Sequence, residues 1–163
     1  MEELLIKEGS SVGLIHLGMA KEEVEPIVTL YCDKYCNLHD SSFMLAYDNA
    51  GRITHIQLVI EDLREHFNCT LRGIDLFNTK ADQLVEMLDK ISPYIRNEDA
   101  EIGYTYKFPE LGMELWRGRI CTEEDLKADW FKEMSLDNQE DEKRFLYFET
   151  VSFSNKHSFV IDQ

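Results

Sequence analysis

Hydrophobic and polar residues alternate in two stretches of the chain, and each stretch predicts a β-hairpin. In the first, a strand candidate from Phe43 to Tyr47 is followed by Asp48-Asn49-Ala50-Gly51, whose residue types favour a tight turn. From Arg52 to Ile60 the chain alternates again, with apolar residues at every second position from Ile56 on. We therefore expect two antiparallel strands that bury one face.

The second stretch has the clearest alternation in the chain. Every second residue from Ile102 to Phe108 is apolar or aromatic, and Pro109-Glu110-Leu111-Gly112 then has the composition of a reversal. The returning strand is Met113 to Arg117. This pattern predicts a hairpin with a buried aromatic face.

Two segments with helical periodicity accompany the hairpins. Val24, Ile27, Val28 and Tyr31 recur at helical spacing, although Pro26 fits a helix only near its start. After a short strand at Cys69 to Arg72, a second helix is predicted with Asn78 or Thr79 as its cap and Ser92-Pro93 as its end. Its apolar stripe consists of Ala81, Leu84, Val85, Leu88 and Ile91.

The last part of the chain predicts one further helix and two strands. Thr122 to Asp125 has the spacing of a capping box, and it precedes a helical pattern of Leu126, Trp130 and Met134. Residues 137–144 have the composition of a polar linker. Phe145 to Phe153 is apolar on both faces, as in a central strand, and Ser158 to Ile161 fits an edge strand.

Together these elements predict an α+β fold: a mainly antiparallel sheet of about five to seven strands, with two or three helices packed on one side. The chain has 163 residues, of which 44% are hydrophobic. That length and composition are typical of a single domain, here residues 1–163, with enough apolar surface to fold unaided.

Net charge is the bulk property that says most about possible partners. The chain has 32 acidic and 17 basic residues, a net charge of -15. Such a field repels nucleic acid and anionic membranes and attracts basic proteins. The sequence has neither a membrane-length apolar run nor the basic flank of a secretory signal, so we expect a cytoplasmic protein with reduced cysteines.

Four segments carry a family resemblance that covers most of the chain. They are LGM-x-KEEV at 17–24, GIDLFNT at 73–79, FPELGMELWR at 108–117 and YFETVSF at 147–153. With them the chain resembles a Firmicutes-type family of small acidic bacterial proteins for which we know of no enzymatic activity. The resemblance implies a bacterial origin and this architecture, but no catalytic residues. Only by analogy of type does it suggest an immunity protein.

Cys32, Cys36 and His39 form the one spacing that suggests a metal. The pattern C-x3-C-x2-H could place soft ligands around zinc, with His16 or His66 as a fourth ligand. A structural zinc site usually has a second paired cluster, which this sequence lacks. We therefore expect two cysteines at a helix end, and no metal or other cofactor.

No residue pattern predicts a catalytic site. Cys36 and Cys69 lack a nucleophile signature, and the acidic groups around Glu98 and Glu140 fall in polar segments without a pocket to shift their pKa. The glycine-rich phosphate motifs are also missing from the sequence. The chain is thus more typical of a binding protein than of an enzyme.

The remaining feature is the stretch from Thr122 to Arg144, which we call the acidic segment. It has nine acidic and four basic residues, and it includes the adjacent aromatics Trp130 and Phe131. If one of these aromatic rings is exposed among the carboxylates, the segment would suit a basic partner. The alternative interpretation is a solvated helix whose two aromatic rings lie in the core. The predicted partner-binding residues are Glu123, Glu124, Asp129, Trp130 and Glu133.

The function that these features favour is a non-enzymatic, cytoplasmic protein-binding module, for example an immunity-type neutraliser of a basic toxin. We expect a protein partner and no nucleic acid or membrane, with the chain itself a monomer or a homodimer. Two alternatives remain: a small enzyme of unknown reaction, and a regulatory subunit that associates through the edge strand Ser158 to Ile161.

Overall fold

A computed structural model of the chain describes residues 1–35, 38–156 and 158, and it confirms an α+β fold with mostly antiparallel strands. The described ranges contain ten strands, divided between two five-stranded sheets. The strands are β1 (Glu2–Lys7), β2 (Ser11–Val12), β3 (Ile15–His16), β4 (Phe43–Tyr47), β5 (Ile53–Val59), β6 (Phe67–Leu71), β7 (Ile74–Asp75), β8 (Thr105–Phe108), β9 (Met113–Trp116) and β10 (Thr150–Ser154).

The first sheet has the strand order β3-β2-β1-β6-β7. Strand β1 was not predicted, although its side chains alternate and Leu4 and Ile6 are buried. It runs parallel to β6, with Leu4 opposite Cys69, whereas the other pairs in this sheet are antiparallel. Because β6 is distant in sequence, the residues around β1 do not reveal which strand it pairs with.

The second sheet is fully antiparallel, with the order β4-β5-β10-β9-β8. Its two outer pairs are the predicted hairpins, and β10 lies between them with all five residues buried. The central position of this strand was therefore predicted correctly. Its length was not, because Arg144–Leu146 form a 3₁₀ turn and the strand starts only at Thr150.

The described ranges contain six α-helices, and the predicted helix starts were partly wrong. Pro26 lies inside the first helix, beyond its first turn, so the restriction of this proline to the helix start was too strict. The helix predicted to begin after Asn78 or Thr79 begins after Lys80, because the Thr79 hydroxyl donates to the Asp75 carbonyl instead. The helices are α1 (Lys21–Asp33), α2 (Ile60–Leu63), α3 (Ala81–Ile91), α4 (Glu98–Ile102), α5 (Asp129–Lys132) and α6 (Leu136–Lys143).

The start of the second hairpin also differs from the prediction. Ile102 ends helix α4, which is capped by the Asn97 side chain and ends at Gly103 in the left-handed region. Ile102 and Tyr104 are consequently exposed, whereas Tyr106 is partly buried and Phe108 is buried. The alternating apolar pattern continues from the end of α4 into β8, so the sequence predicted one long strand where the structure has a helix end and a shorter strand.

One hydrophobic core joins the two sheets. Phe67 from β6 and Phe43 from β4 meet the ring of Tyr31, which stacks on Phe43 at 5.4 Å and contacts Phe67 edge-on at 5.6 Å. Helix α1 thus bridges the sheets through Tyr31. No helix in the described ranges is long and apolar enough to cross a membrane. The predicted strand from Ser158 to Ile161 lies outside the described residues apart from Ser158.

A buried arginine fastens the loops that follow β9. Arg117 is 2% exposed, and its guanidinium donates to the carbonyls of Gly103 (3.0 Å), Phe145 (3.0 Å) and Cys121 (3.5 Å). Asp82, at 3.7 Å, is largely exposed and supplies a weak counter-charge. A buried carbonyl without a hydrogen-bond donor is costly. The Arg117 side chain stabilises these loops because it supplies a donor to one carbonyl in each of three segments.

Candidate protein-binding surface

The acidic segment is broken into short helices, so the predicted continuous helix was wrong. The capping box forms: the Thr122 amide donates to the Asp125 carboxylate at 2.8 Å, and the Asp125 amide donates to the Thr122 hydroxyl at 3.3 Å. It opens only a 3₁₀ turn, Asp125–Lys127, because Ala128 is extended. Helix α5 follows Ala128.

The predicted polar linker at 137–144 was also wrong, because most of it is helix α6. The Ser135 hydroxyl caps this helix by accepting from the Asn138 amide at 3.2 Å. Gln139 donates from its side chain to the carbonyls of Met134 (3.1 Å) and Lys132 (3.4 Å), which ties α6 to the end of α5. The two helices therefore form one local unit.

The adjacent aromatics of α5 have different environments. Trp130 is 46% exposed, whereas Phe131 is 5% exposed and anchors the helix. Their rings meet edge-on, with centroids 6.1 Å apart. A tryptophan supported in this way is held in place while part of its ring stays available for contact.

Leu136 is a second exposed apolar residue in this unit, and sequence reasoning missed it. Leu136 is 79% exposed at the first position of α6. Among the large apolar side chains of the described residues, only Met1 has a similar exposure. The signal was present in the sequence, since Leu136 directly follows the capping residue Ser135 in a stretch otherwise without apolar residues. It was overlooked because that stretch lacks hydrophobic periodicity.

Eight of the nine carboxylates of the acidic segment divide into two groups, and the ninth, Asp125, accepts the Thr122 amide in the capping box. Four have basic partners: Glu123 with Lys80, Glu124 with Lys127, Glu140 with Lys143, and Glu142 with Arg119. Four others form no ion pair or side-chain hydrogen bond with the described part of the chain, namely Asp129, Glu133, Asp137 and Asp141. Of the predicted binding residues, Asp129 and Glu133 are thus unpaired, whereas Glu123 and Glu124 are engaged.

We use the name acidic face for Trp130, Leu136 and the four unpaired carboxylates, six exposed residues that lie between positions 129 and 141. All six residues belong to α5, α6 or the residues that join them. Phe131 and Glu142 occupy the buried side of the same unit. The four carboxylates are exposed to solvent. A face of this kind combines apolar contact area with a negative potential.

The weak metal candidate, Cys32, Cys36 and His39, is only partly within the described residues. Cys32 is buried, its thiol donates to the His39 carbonyl at 3.4 Å, and burial raises its pKa. Cys36 lies outside the described residues. Within the ranges that are described, no three His, Cys, Asp or Glu side chains converge as metal ligands would.

The surroundings of Cys121 disfavour a role as a nucleophile. Cys121 lines a cavity of about 320 Å³ together with Lys80, Asp82 and Glu123. It is 1% exposed, and burial, with the nearby Asp125, raises the pKa of its thiol above the usual 9.0. Such a thiol stays protonated near neutral pH and is a poor nucleophile.

Comparison with known proteins gives this surface no precedent. No protein-family model, no curated protein and no solved structure matches the chain. The bacterial family resemblance therefore stays a prediction from the four segments quoted above.

Proposed function

We propose that the protein is a binding module that captures a basic partner protein on the acidic face. The observation that carries this proposal is the exposure of Trp130 and Leu136 beside four carboxylates that have no partner in the described residues. Tryptophan is enriched at protein interfaces, because its large ring supplies apolar contact area while its N–H can still form a hydrogen bond.

The two kinds of group have different roles in binding. Tryptophan is among the residues most enriched in interface hot spots, where its truncation typically costs on the order of 2 kcal/mol of binding free energy or more. The unpaired carboxylates steer a cationic partner toward the face and speed association. Because they have no partner of their own, no internal ion pair must break when a lysine or arginine arrives.

An immunity-type role fits this chemistry. A toxin that acts on nucleic acid carries a basic surface to bind phosphates, and an acidic protein that docks there occludes the substrate while meeting complementary charge. The net charge of -15 supports the same choice, since it repels nucleic acid from the complex. We propose that such neutralisation takes place in the cytoplasm.

The test is a local charge reversal compared with an equal reversal elsewhere. The partner to use is the product of the neighbouring gene, co-expressed and purified with the wild-type chain. Asp129→Lys, Glu133→Lys and Asp137→Lys together should abolish measurable binding in isothermal titration calorimetry. The control combines Glu65→Lys, Glu86→Lys and Glu101→Lys, three dispersed exposed residues that give the same change in net charge.

The control variant should bind within a few-fold of wild type, because its local potential at the face is little changed. If both triple variants lose affinity equally, only the net charge matters and the acidic face is not the site. If neither loses affinity, the partner docks elsewhere and the proposal fails.

A further inference from the structure

A cleft lies between helix α1 and strand β4, far in sequence from the acidic face. It has a volume of about 450 Å³ and is lined by Glu25 and Val28 of α1, by Phe43, Leu45 and Tyr47 of β4, and by Asp40. Tyr31 covers the ring of Phe43, but toward Tyr47 the helix presents Glu25 instead of a bulky side chain. The space above Leu45 is therefore left open.

The cleft combines an apolar floor with an acidic rim. Asp40 has no ion pair or side-chain hydrogen bond within the described ranges, and Glu25 has only Lys21 at 3.9 Å, with both of these side chains 61% exposed. The lining described for the cleft includes no basic residue. Partial burial, together with Glu25 and Glu22, raises the pKa of Tyr47, which reflects the same negative potential.

These properties suit a lysine or arginine side chain. Its methylene stem can lie along Val28 and Leu45 while its cationic end reaches the carboxylates, as long basic side chains do at apolar surfaces. The ring of Tyr47, which is only partly buried, can add a cation–π contribution. An anionic or purely apolar group would leave the two carboxylates unpaired.

Strand β4 adds a second element of recognition because it is an edge of the second sheet. It pairs with β5, and within the described residues its opposite edge forms no backbone hydrogen bond. Side chains alternate along a strand, so a segment added to this edge would direct every second side chain over the face that carries Phe43, Leu45 and Tyr47. That face is where the cleft lies.

We propose that the α1–β4 cleft binds an extended segment of a partner protein, which pairs with the edge of β4 and places a lysine or arginine side chain between Glu25 and Asp40. This site uses different elements from the acidic face, and the inference does not depend on that face. Backbone pairing supplies affinity, and the acidic cleft selects the basic side chain.

The experiment is a ¹⁵N–¹H correlation titration of the whole chain with a capped five-residue peptide of threonine and valine around a central arginine. We expect saturable shifts at the amides of Phe43–Tyr47. A peptide with norleucine in place of arginine should bind about tenfold more weakly, since it lacks charge-assisted hydrogen bonds. Equal binding of the two peptides would overturn the cleft assignment.

Variants locate the site on the protein. Glu25→Gln combined with Asp40→Asn should weaken the arginine peptide about tenfold. Glu86→Gln is the matched control, because Glu86 is an exposed helical carboxylate paired with Lys90 at i,i+4, as Glu25 is with Lys21. If the control weakens binding as much as the double variant, the proposal is wrong.

Two further probes separate strand addition from capture of a small cation and from the acidic face. N-methylation of the peptide backbone should weaken binding, whereas equal binding of this peptide, or of ethylguanidinium alone, would show a cation site without strand pairing and overturn the proposal. Trp130→Ala should leave peptide binding unchanged. Shifts confined to α5 and α6 would overturn the cleft and leave the acidic face standing.

Discussion

In the loops around Arg117 one charged group is enclosed by three backbone carbonyls, whereas on the acidic face four carboxylates have no partner in the described residues. Arg117 is 2% exposed and keeps its charge because arginine cannot be deprotonated in proteins, even though burial lowers its pKa. The two regions are close in sequence but differ in what surrounds the charge.

The difference indicates which charges stabilise the fold and which are available to a partner. A buried charge with several hydrogen bonds is costly to remove, because its former acceptors stay buried. Exposed and unpaired charges add little stability and can be exchanged without unfolding. Arg117 is therefore expected to be essential for stability, and the acidic face for binding.

The largest effect should follow from Arg117→Met, which keeps much of the side-chain volume but removes the donors. The carbonyls of Gly103, Cys121 and Phe145 would lose their partner, and we expect a loss of about 4 kcal/mol in the free energy of unfolding. Urea denaturation measures it. Arg72→Met is the control, because Arg72 makes an exposed ion pair with Glu8, and it should lose far less. If both variants lost the same free energy of unfolding, the proposed difference between buried and exposed charges would be wrong.

The adjacent pair Trp130 and Phe131 sharpens the comparison within one helix. Phe131→Ala empties a buried position and should destabilise the chain by about 3 kcal/mol. Trp130→Ala should change stability little but lower affinity for the basic partner at least tenfold. Thermal unfolding and calorimetry measure the two effects. A Trp130 variant that unfolds early and binds normally would assign the ring to the core.

We expect the smallest effect at His55, which is neither enclosed like Arg117 nor exposed like the carboxylates of the acidic face. It is partly buried on β5, it has no ion pair in the described residues, and burial lowers its pKa from 6.5. The folded state therefore binds this proton less readily than the unfolded state, so stability is highest above pH 6.5 and falls as the pH drops below it. Wild type should lose more stability than His55→Gln between pH 7.5 and 5.5 in urea denaturation. Parallel losses would contradict the burial effect.

The parts of the fold that were predicted correctly have local signals. Asp48 and Gly51 mark the turn of one hairpin, and Gly112 marks the reversal of the other. In both cases the strands on each side have alternating residues that face the same core. Helix α3 likewise has a strong apolar stripe, of which Ala81, Leu84 and Leu88 are buried.

The errors arise where long-range contacts or caps override the local pattern. Strand β1 exists because β6 lies beside it, and no feature near Leu4 reveals that partner. Ile102 and Tyr104 continue an alternating pattern, but the Asn97 cap and Gly103 end a helix there. Helix α6 has almost no apolar residues, and its Ser135 cap was the only clue to its start.

The candidate surface was predicted only in part. Trp130, Asp129 and Glu133 were identified because aromatic and acidic residues occur together there. Which carboxylates are unpaired depends on Lys80 and Arg119, which lie outside the acidic segment, so sequence spacing could not show it. The α1–β4 cleft was missed for a similar reason, since its walls come from a helix and a strand whose approach is set by Tyr31 and Phe43.

The central position of β10 has a consequence for the order in which the chain can fold. The β4–β5 and β8–β9 hairpins each pair neighbours in sequence, so each can form soon after its own residues are synthesised. They become one sheet only when Thr150–Ser154 enters between them. Until a ribosome has released that strand, the inner edges of both hairpins are unpaired and vulnerable to aggregation, so we expect the nascent chain to need chaperone protection until β10 has emerged.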